Sequence, residues 1–156
     1  MSHSQQLLSQ NIQALQNQHN WLERSYLICQ NMPIGSMYTP EEMDALETLC
    51  ARFSRSIDFL IRKVFRSIDD VEFENQGTLI DVVNNAAKRG LIESTDKMRE
   101  IKELRNDIVH EYISEDIKGL FVEVLKETPT LLAIMHATID YCARYDNQQV
   151  TNDDAK

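Results

Sequence analysis

Apolar residues recur along this chain at alternating steps of three and four, the spacing that puts side chains on one face of an α-helix. Leu8, Ile12, Leu15, His19, Leu22, Tyr26 and Cys29 form the first series, predicting a helix from Ser4 to Gln30 that packs at a shallow angle. Asn31-Met32-Pro33-Ile34-Gly35-Ser36 breaks it. The next start is marked by Thr39 as N-cap, Pro40 at the first helical position, and Glu41 and Glu42 at the positive end of the helix dipole. Met43, Leu46, Cys50, Phe53, Ile57, Leu60 and Val64 continue the rhythm, and Leu49, Ile61, Phe65 and Ile68 widen it into a broad face. This helix should end near Asp69 and Asp70, after roughly 30 residues or ~45 Å.

A short helix is predicted from Thr78 to Arg89, carrying Leu79, Ile80, Val82, Val83 and Ala86, with Gly90 as its left-handed terminator. Ser94, Thr95 and Asp96 open a further helix with Met98, Ile101, Leu104 and Ile108. From Asp116 onward, Ile117, Phe121, Val124, Leu131, Met135, Ile139 and Cys142 repeat at helical spacing. Pro129 within that series predicts a kink or two abutting helices. Residues 146–156 are polar and lack periodicity, which predicts a mobile tail behind a single helical domain of residues 1–145. The expected fold is all-α, an antiparallel four- to five-helix bundle.

Composition agrees with helices. Only 4 Gly and 3 Pro are available in 156 residues, too few to punctuate several hairpins. Cys29, Cys50 and Cys142 are odd in number and include no C-x-x-C pair, so neither a disulfide framework nor a metal site is expected, and no cofactor is implied. They read as small buried hydrophobes. The start Met1-Ser2-His3-Ser4-Gln5-Gln6 lacks the pattern of a signal peptide, and no run approaches a membrane span of ~18 apolar residues, so a cytoplasmic protein is expected. A net charge of −9 argues against broad, nonspecific adhesion to nucleic acid. Any RNA contact must come from a local basic patch or from a cleft assembled by two chains.

Arg105 interrupts the amphipathic pattern. At about 100° per residue, Ile101, Leu104, Ile108 and Tyr112 share one side of their helix, with Met98 and Val109 flanking them. Arg105 falls about 40° from Ile101, inside the apolar sector. It must snorkel outward, pair with a carboxylate between helices, or line an interface or cleft. In the last case its planar fork would suit a phosphate. His110 would point about 140° away from Arg105 on an unbroken helix, about 7.5 Å along the axis. Two arrangements would let them cooperate: the helix ends near Val109 and His110 turns inward, or the site combines residues from two protomers. A lone surface histidine is the plainer reading of His110, and a core aromatic with a surface hydroxyl the plainer reading of Tyr112. Asp107 reads as a solvated helix residue, and His19 and His136 as structural.

Arg105, His110 and Tyr112 together spell R-x4-H-x-Y within Arg105-Asn106-Asp107-Ile108-Val109-His110-Glu111-Tyr112. This motif, late in a small helical chain and followed by another long helix, resembles the HEPN superfamily. It is most similar to HepT-type toxins encoded beside MNT nucleotidyltransferase antitoxins, over residues from about 10 to 145. The antitoxin's own G-S-x10-D-x-D signature is absent, because Gly35-Ser36 is followed at the required positions by Glu47 and Leu49.

The resemblance implies a homodimer whose two motifs line a common cleft, and metal-independent cleavage of RNA there. His110 would serve as general acid or base and Arg105 would stabilise the charge developing on phosphate. Asn106 would orient groups or bind substrate, and Tyr112 would position RNA and His110. The resemblance also makes Tyr112 the residue to which the cognate nucleotidyltransferase would attach AMP, whose bulk and charge would block the cleft. Two other functions compete with this one. One is a noncatalytic helical binding subunit of a nucleotidyltransferase, and the other is a scaffold whose long seams merely drive dimerisation.

Overall fold

The computed structural model describes residues 2–33, 37–73, 77–110 and 117–154, with side chains described as far as residue 146. Every regular element among them is helical: α1 His3–Cys29, α2 Pro40–Phe59, a π-helical segment Leu60–Phe65, α3 Arg66–Val71, α4 Leu79–Lys88, α5 Thr95–His110 and α6 Ile117–Asp154. α2, the π segment and α3 follow one another without a break, giving the long rod that the apolar series from Met43 to Ile68 predicts. The other elements pack around it.

Local chemistry sets the helix ends. Ser2, Thr39 and Thr78 each accept a hydrogen bond from a backbone N–H three residues on, while Gln5, Glu42 and Asp81 bond back to the cap residue. These are capping boxes, which satisfy first-turn donors that would otherwise lack partners. Ser94 accepts from Lys97 N–H at 3.0 Å and caps the start of α5 through that bond alone. α4 stops because Gly90 takes φ +76°, a conformation that costs glycine little. Leu91 N–H then reaches Ala86 C=O at 3.1 Å and Gly90 N–H reaches Ala87 C=O at 3.0 Å, closing a Schellman motif with Leu91 buried.

The core follows the predicted seams. Leu8, Leu15, Leu22 and Cys29 of α1 are buried at intervals of seven, while Ile12 and Tyr26 pack on the core from its edge. Leu46, Leu49, Cys50, Phe53, Ile57, Leu60, Ile61, Val64, Phe65 and Ile68 bury both flanks of the central rod, which explains its broad face. Met98, Ile101, Leu104 and Ile108 bury α5, and Phe121, Val124, Leu131, Met135 and Cys142 bury α6. Ile80 is an exception: it lies mostly exposed on α4.

Pro129 does not divide the last helix. α6 is continuous through it, so the abutting-helices alternative is not what forms. Proline lacks the N–H that would bond the carbonyl four residues back, yet the helix carries on past that one missing bond. Thr128 Oγ1 donates to Val124 C=O at 2.6 Å. Beyond Asp146, where polar residues predict a tail, the backbone stays helical to Asp154.

Candidate functional site

Arg105 points from α5 across to α2, where it grips Asp58 with both arms of its fork. Nε lies 3.0 and 3.2 Å from the two carboxylate oxygens, and Nη2 donates to Oδ2 at 2.8 Å. The apolar sector of α5 has thus turned its one cation toward a carboxylate, as a desolvated guanidinium requires. The pair remains about a third open to solvent, with Arg105 at 32% and Asp58 at 39% side-chain exposure. It forms one wall of a small cavity of about 60 Å³ lined also by Ile57, Ile61, Arg62, Leu79, Lys102 and Asn106. Two of the predicted site residues, Arg105 and Asn106, therefore meet in one place.

The floor of this cavity belongs in part to the π segment. Ile61 and Arg62 lie within it, and a π turn adds a residue to the helix and rotates the residues beyond it. A second cavity, of about 240 Å³, adjoins the first and shares Leu79, Lys102 and Asn106 with it. Arg99, Glu103, Asn84 and Thr95 line its rim. Together they form a trough between α2, α4 and α5 lined by Arg62, Arg99, Lys102 and Arg105 and, among the described residues, by the acids Asp58 and Glu103, with Asp96 pairing Arg99 at 3.5 Å. Among the described residues neither Arg62 nor Lys102 has a carboxylate partner. A protein of net charge −9 thus has a local concentration of cations beside the motif.

His110 stays on the helix. α5 runs through it as its last described residue, and its side chain is exposed. The inward turn after Val109 is not formed, so Arg105 and His110 retain the angular separation of a regular helix, about 140°. Asn106 and His110 are four residues apart and share a face, about 40° from one another. The motif therefore presents two surfaces: Arg105 with Asn106 on the trough, and His110 one turn beyond Asn106 on the exposed side. Val109 beside it is about half exposed. Tyr112 lies outside the described residues, so its predicted roles carry no geometry.

The other histidines lie elsewhere. His19 and His136 face one another across α1 and α6 with ring centroids 6.4 Å apart, and His136 Nε2 lies 3.3 Å from Asp140. No group of three or more His, Cys, Asp or Glu among the described residues could hold a metal ion. No helix among them is long and apolar enough to cross a membrane. All three cysteines are buried free thiols, and burial pushes Cys50 and Cys142 up to about 12.

Sequence reasoning did not find Asp58, Arg62 or Lys102. Asp58 left a usable trace, as the only carboxylate in the otherwise apolar stretch Ser56-Ile57-Asp58-Phe59-Leu60-Ile61. An acid there and an arginine in the apolar sector of α5 are each unfavourable alone and are satisfied by one another. Arg62 and Lys102 left none, since exposed cations on helices are ordinary. No family model, no curated protein and no solved structure matches this chain.

Proposed function

We propose that this chain is a metal-independent ribonuclease of the HEPN type, the toxin half of a pair restrained by a nucleotidyltransferase antitoxin. The observation that carries the reading is the opening of Arg105 and Asn106, adjacent in the R-x4-H-x-Y motif, onto one cation-lined trough. Asp58 holds the guanidinium of Arg105 through Nε and Nη2 and so fixes its plane. A fixed cation stabilises a transition state better than a mobile one, because nothing must reorganise when charge develops on the phosphate. His110 is the general acid or base, helping a 2′-hydroxyl attack the adjacent phosphorus. One helix holds it too far round from Arg105, so a homodimer brings the exposed His110 of one copy toward the trough of the other. AMP attached at Tyr112 adds bulk and negative charge near the cleft and silences it.

The bidentate Asp58 also favours a second reading, in which Arg105 is a strut and the chain is a noncatalytic binding subunit of a nucleotidyltransferase. One experiment separates the two. The purified chain, Arg105→Ala and His110→Ala are incubated with RNA in the presence of a chelator, and cleavage is followed over time. The ribonuclease reading expects cleavage by the parent and a loss of about 10²–10⁴-fold in each variant. An inert parent that still forms a complex with a nucleotidyltransferase establishes the subunit reading instead. A monomeric mass at micromolar concentration removes the two-chain cleft.

A further inference from the structure

We infer that the cleft between α1 and α2 around Trp21 is a binding pocket for a nucleobase with its attached phosphate. The cleft, of about 240 Å³, is lined by Gln18, Trp21, Arg52, Arg55 and Ser56. It is separate from the trough beside the motif, and its ligand does not depend on the ribonuclease reading.

Four observations point to that ligand. First, Trp21 is 55% exposed although it is the largest apolar side chain in the molecule and the only tryptophan, so much of its indole is open to a planar partner. Second, the guanidinium of Arg52 lies 4.9 Å from the ring centroid and is held there by bonds from Nη1 to Trp21 C=O at 3.1 Å and Ser25 Oγ at 2.7 Å. The stacking platform is thus built before any ligand arrives, which lowers the ordering cost of binding. Third, Arg55 is exposed, and its side chain makes a long 3.4 Å contact to Ala51 C=O of its own helix. Among the described residues it has no carboxylate partner, so its fork is available to an anion. Fourth, Gln18 lines the cleft and its Oε1 is buried without a hydrogen-bond partner, an acceptor that a rotation of the side-chain amide would offer to the amino or imino N–H of a base.

The lining contains no acid in a chain with 25 acidic residues, which selects for an anionic ligand. An apolar aromatic would leave Arg55 and Gln18 unsatisfied, and inorganic phosphate would leave Trp21 unused. A base with its phosphate engages all three. Such a unit reaches the cleft either as a free mononucleotide or as an unpaired residue of a strand. In the second case α2 offers a continuation, since Arg62 stands two turns beyond Arg55 and lines the trough that holds Arg105.

Trp21 is its own reporter. The full chain is titrated with AMP, UMP, inorganic phosphate and a short single-stranded oligonucleotide while tryptophan emission is followed. Quenching by the nucleotides at concentrations where phosphate alone has no effect is expected. Arg55→Ala should weaken it by about tenfold or more, with Gln18→Leu weakening it less. A mononucleotide that binds as tightly as the oligonucleotide identifies a free nucleotide as the ligand. An oligonucleotide that binds about tenfold tighter, with an affinity that falls steeply in salt, identifies a strand. Absence of quenching by every nucleotide and oligonucleotide overturns the assignment. So does an Arg55→Glu variant of unchanged helical circular dichroism that titrates like the parent.

Discussion

Arg89 and Arg105 both join helices through carboxylates, and they do so under opposite conditions. Arg89, at the end of α4, is closed in: Nη1 lies 2.7 Å from Asp69 and Nε 2.8 Å from Glu72, with Asp69 fully buried. Glu72 also accepts from Tyr141 Oη at 2.6 Å and from Tyr145 Oη, so α3, α4 and α6 meet in one network. Arg105, by contrast, meets a single acid and remains a third exposed beside a cation-lined trough. A network whose arginine and aspartate are both buried can hold helices together but leaves no cation open to a ligand. An open pair with spare cations around it can receive one. The same side-chain chemistry is thus divided by burial into a fastening and a candidate site.

That contrast can be broken by mutation. Asp69→Ala should cost about 2–4 kcal/mol, because it leaves the buried Arg89 guanidinium with Glu72 alone and one arm unmet. Chemical denaturation would measure it, and a loss under about 1 kcal/mol would mean that the network is not a closed fastening. Alkylation of native Cys142, whose thiol is pushed up to about 12 by burial and then by the nearby charge of Glu72, should also accelerate in that variant.

Glu72→Gln should have a smaller effect, about 1–2 kcal/mol at neutral pH, since glutamine still accepts from the tyrosines but without charge. Burial alone would raise the pKa of Glu72, yet the hydrogen bonds from Tyr141, Tyr145 and Arg89 outweigh it and hold the carboxyl below its ordinary value. A lowered folded pKa stabilises fully above the unfolded value of about 4.3 and is lost as pH falls through the folded one. The parent should therefore lose thermal stability between about pH 5 and 3 more steeply than Glu72→Gln. Parallel curves would show that Glu72 is not held toward its charged form.

Asp58→Asn should be the mildest for stability, about 1 kcal/mol or less, because solvent screens a pair that is a third exposed. Its effect belongs to function instead. It frees the guanidinium plane of Arg105, so on the ribonuclease reading cleavage falls while the melting temperature barely moves. A large drop in melting temperature would place Arg105 with Arg89 as a fastening and dissolve the contrast.

Much of the fold was legible because it rests on short-range rules. Thr39-Pro40-Glu41-Glu42 states a helix start in four residues, and the structure forms a complete capping box there. Gly90 states a stop through its left-handed backbone. Pro129 was less legible, since whether a proline breaks a helix depends on packing around it rather than on its own preference. The π segment at Leu60–Phe65 left no trace, because its residues follow the same three-four apolar spacing as an ordinary helix.

The candidate site divides in the same way. Angular arithmetic along one helix exposed Arg105 as anomalous, and it kept three explanations open. Asp58 lies 47 positions earlier in the chain, and nothing local to α5 could name it. The cations of the trough come from α2 with its π extension and from α5, and Trp21 and Arg55 meet from α1 and α2, so neither group exists until the helices pack.

By itself the sequence determined the helices, their caps and the faces they bury, because backbone hydrogen bonding and hydrophobic periodicity act within a few residues. It also marked Arg105 as anomalous, because a cation in an apolar sector must snorkel outward, pair with a carboxylate or line a cleft. Only the tertiary structure decided which partner it takes, how far the pair stays open, and that His110 remains outward on an unbroken helix. Those outcomes depend on distances between segments far apart in the chain, which side-chain packing sets and no local pattern encodes.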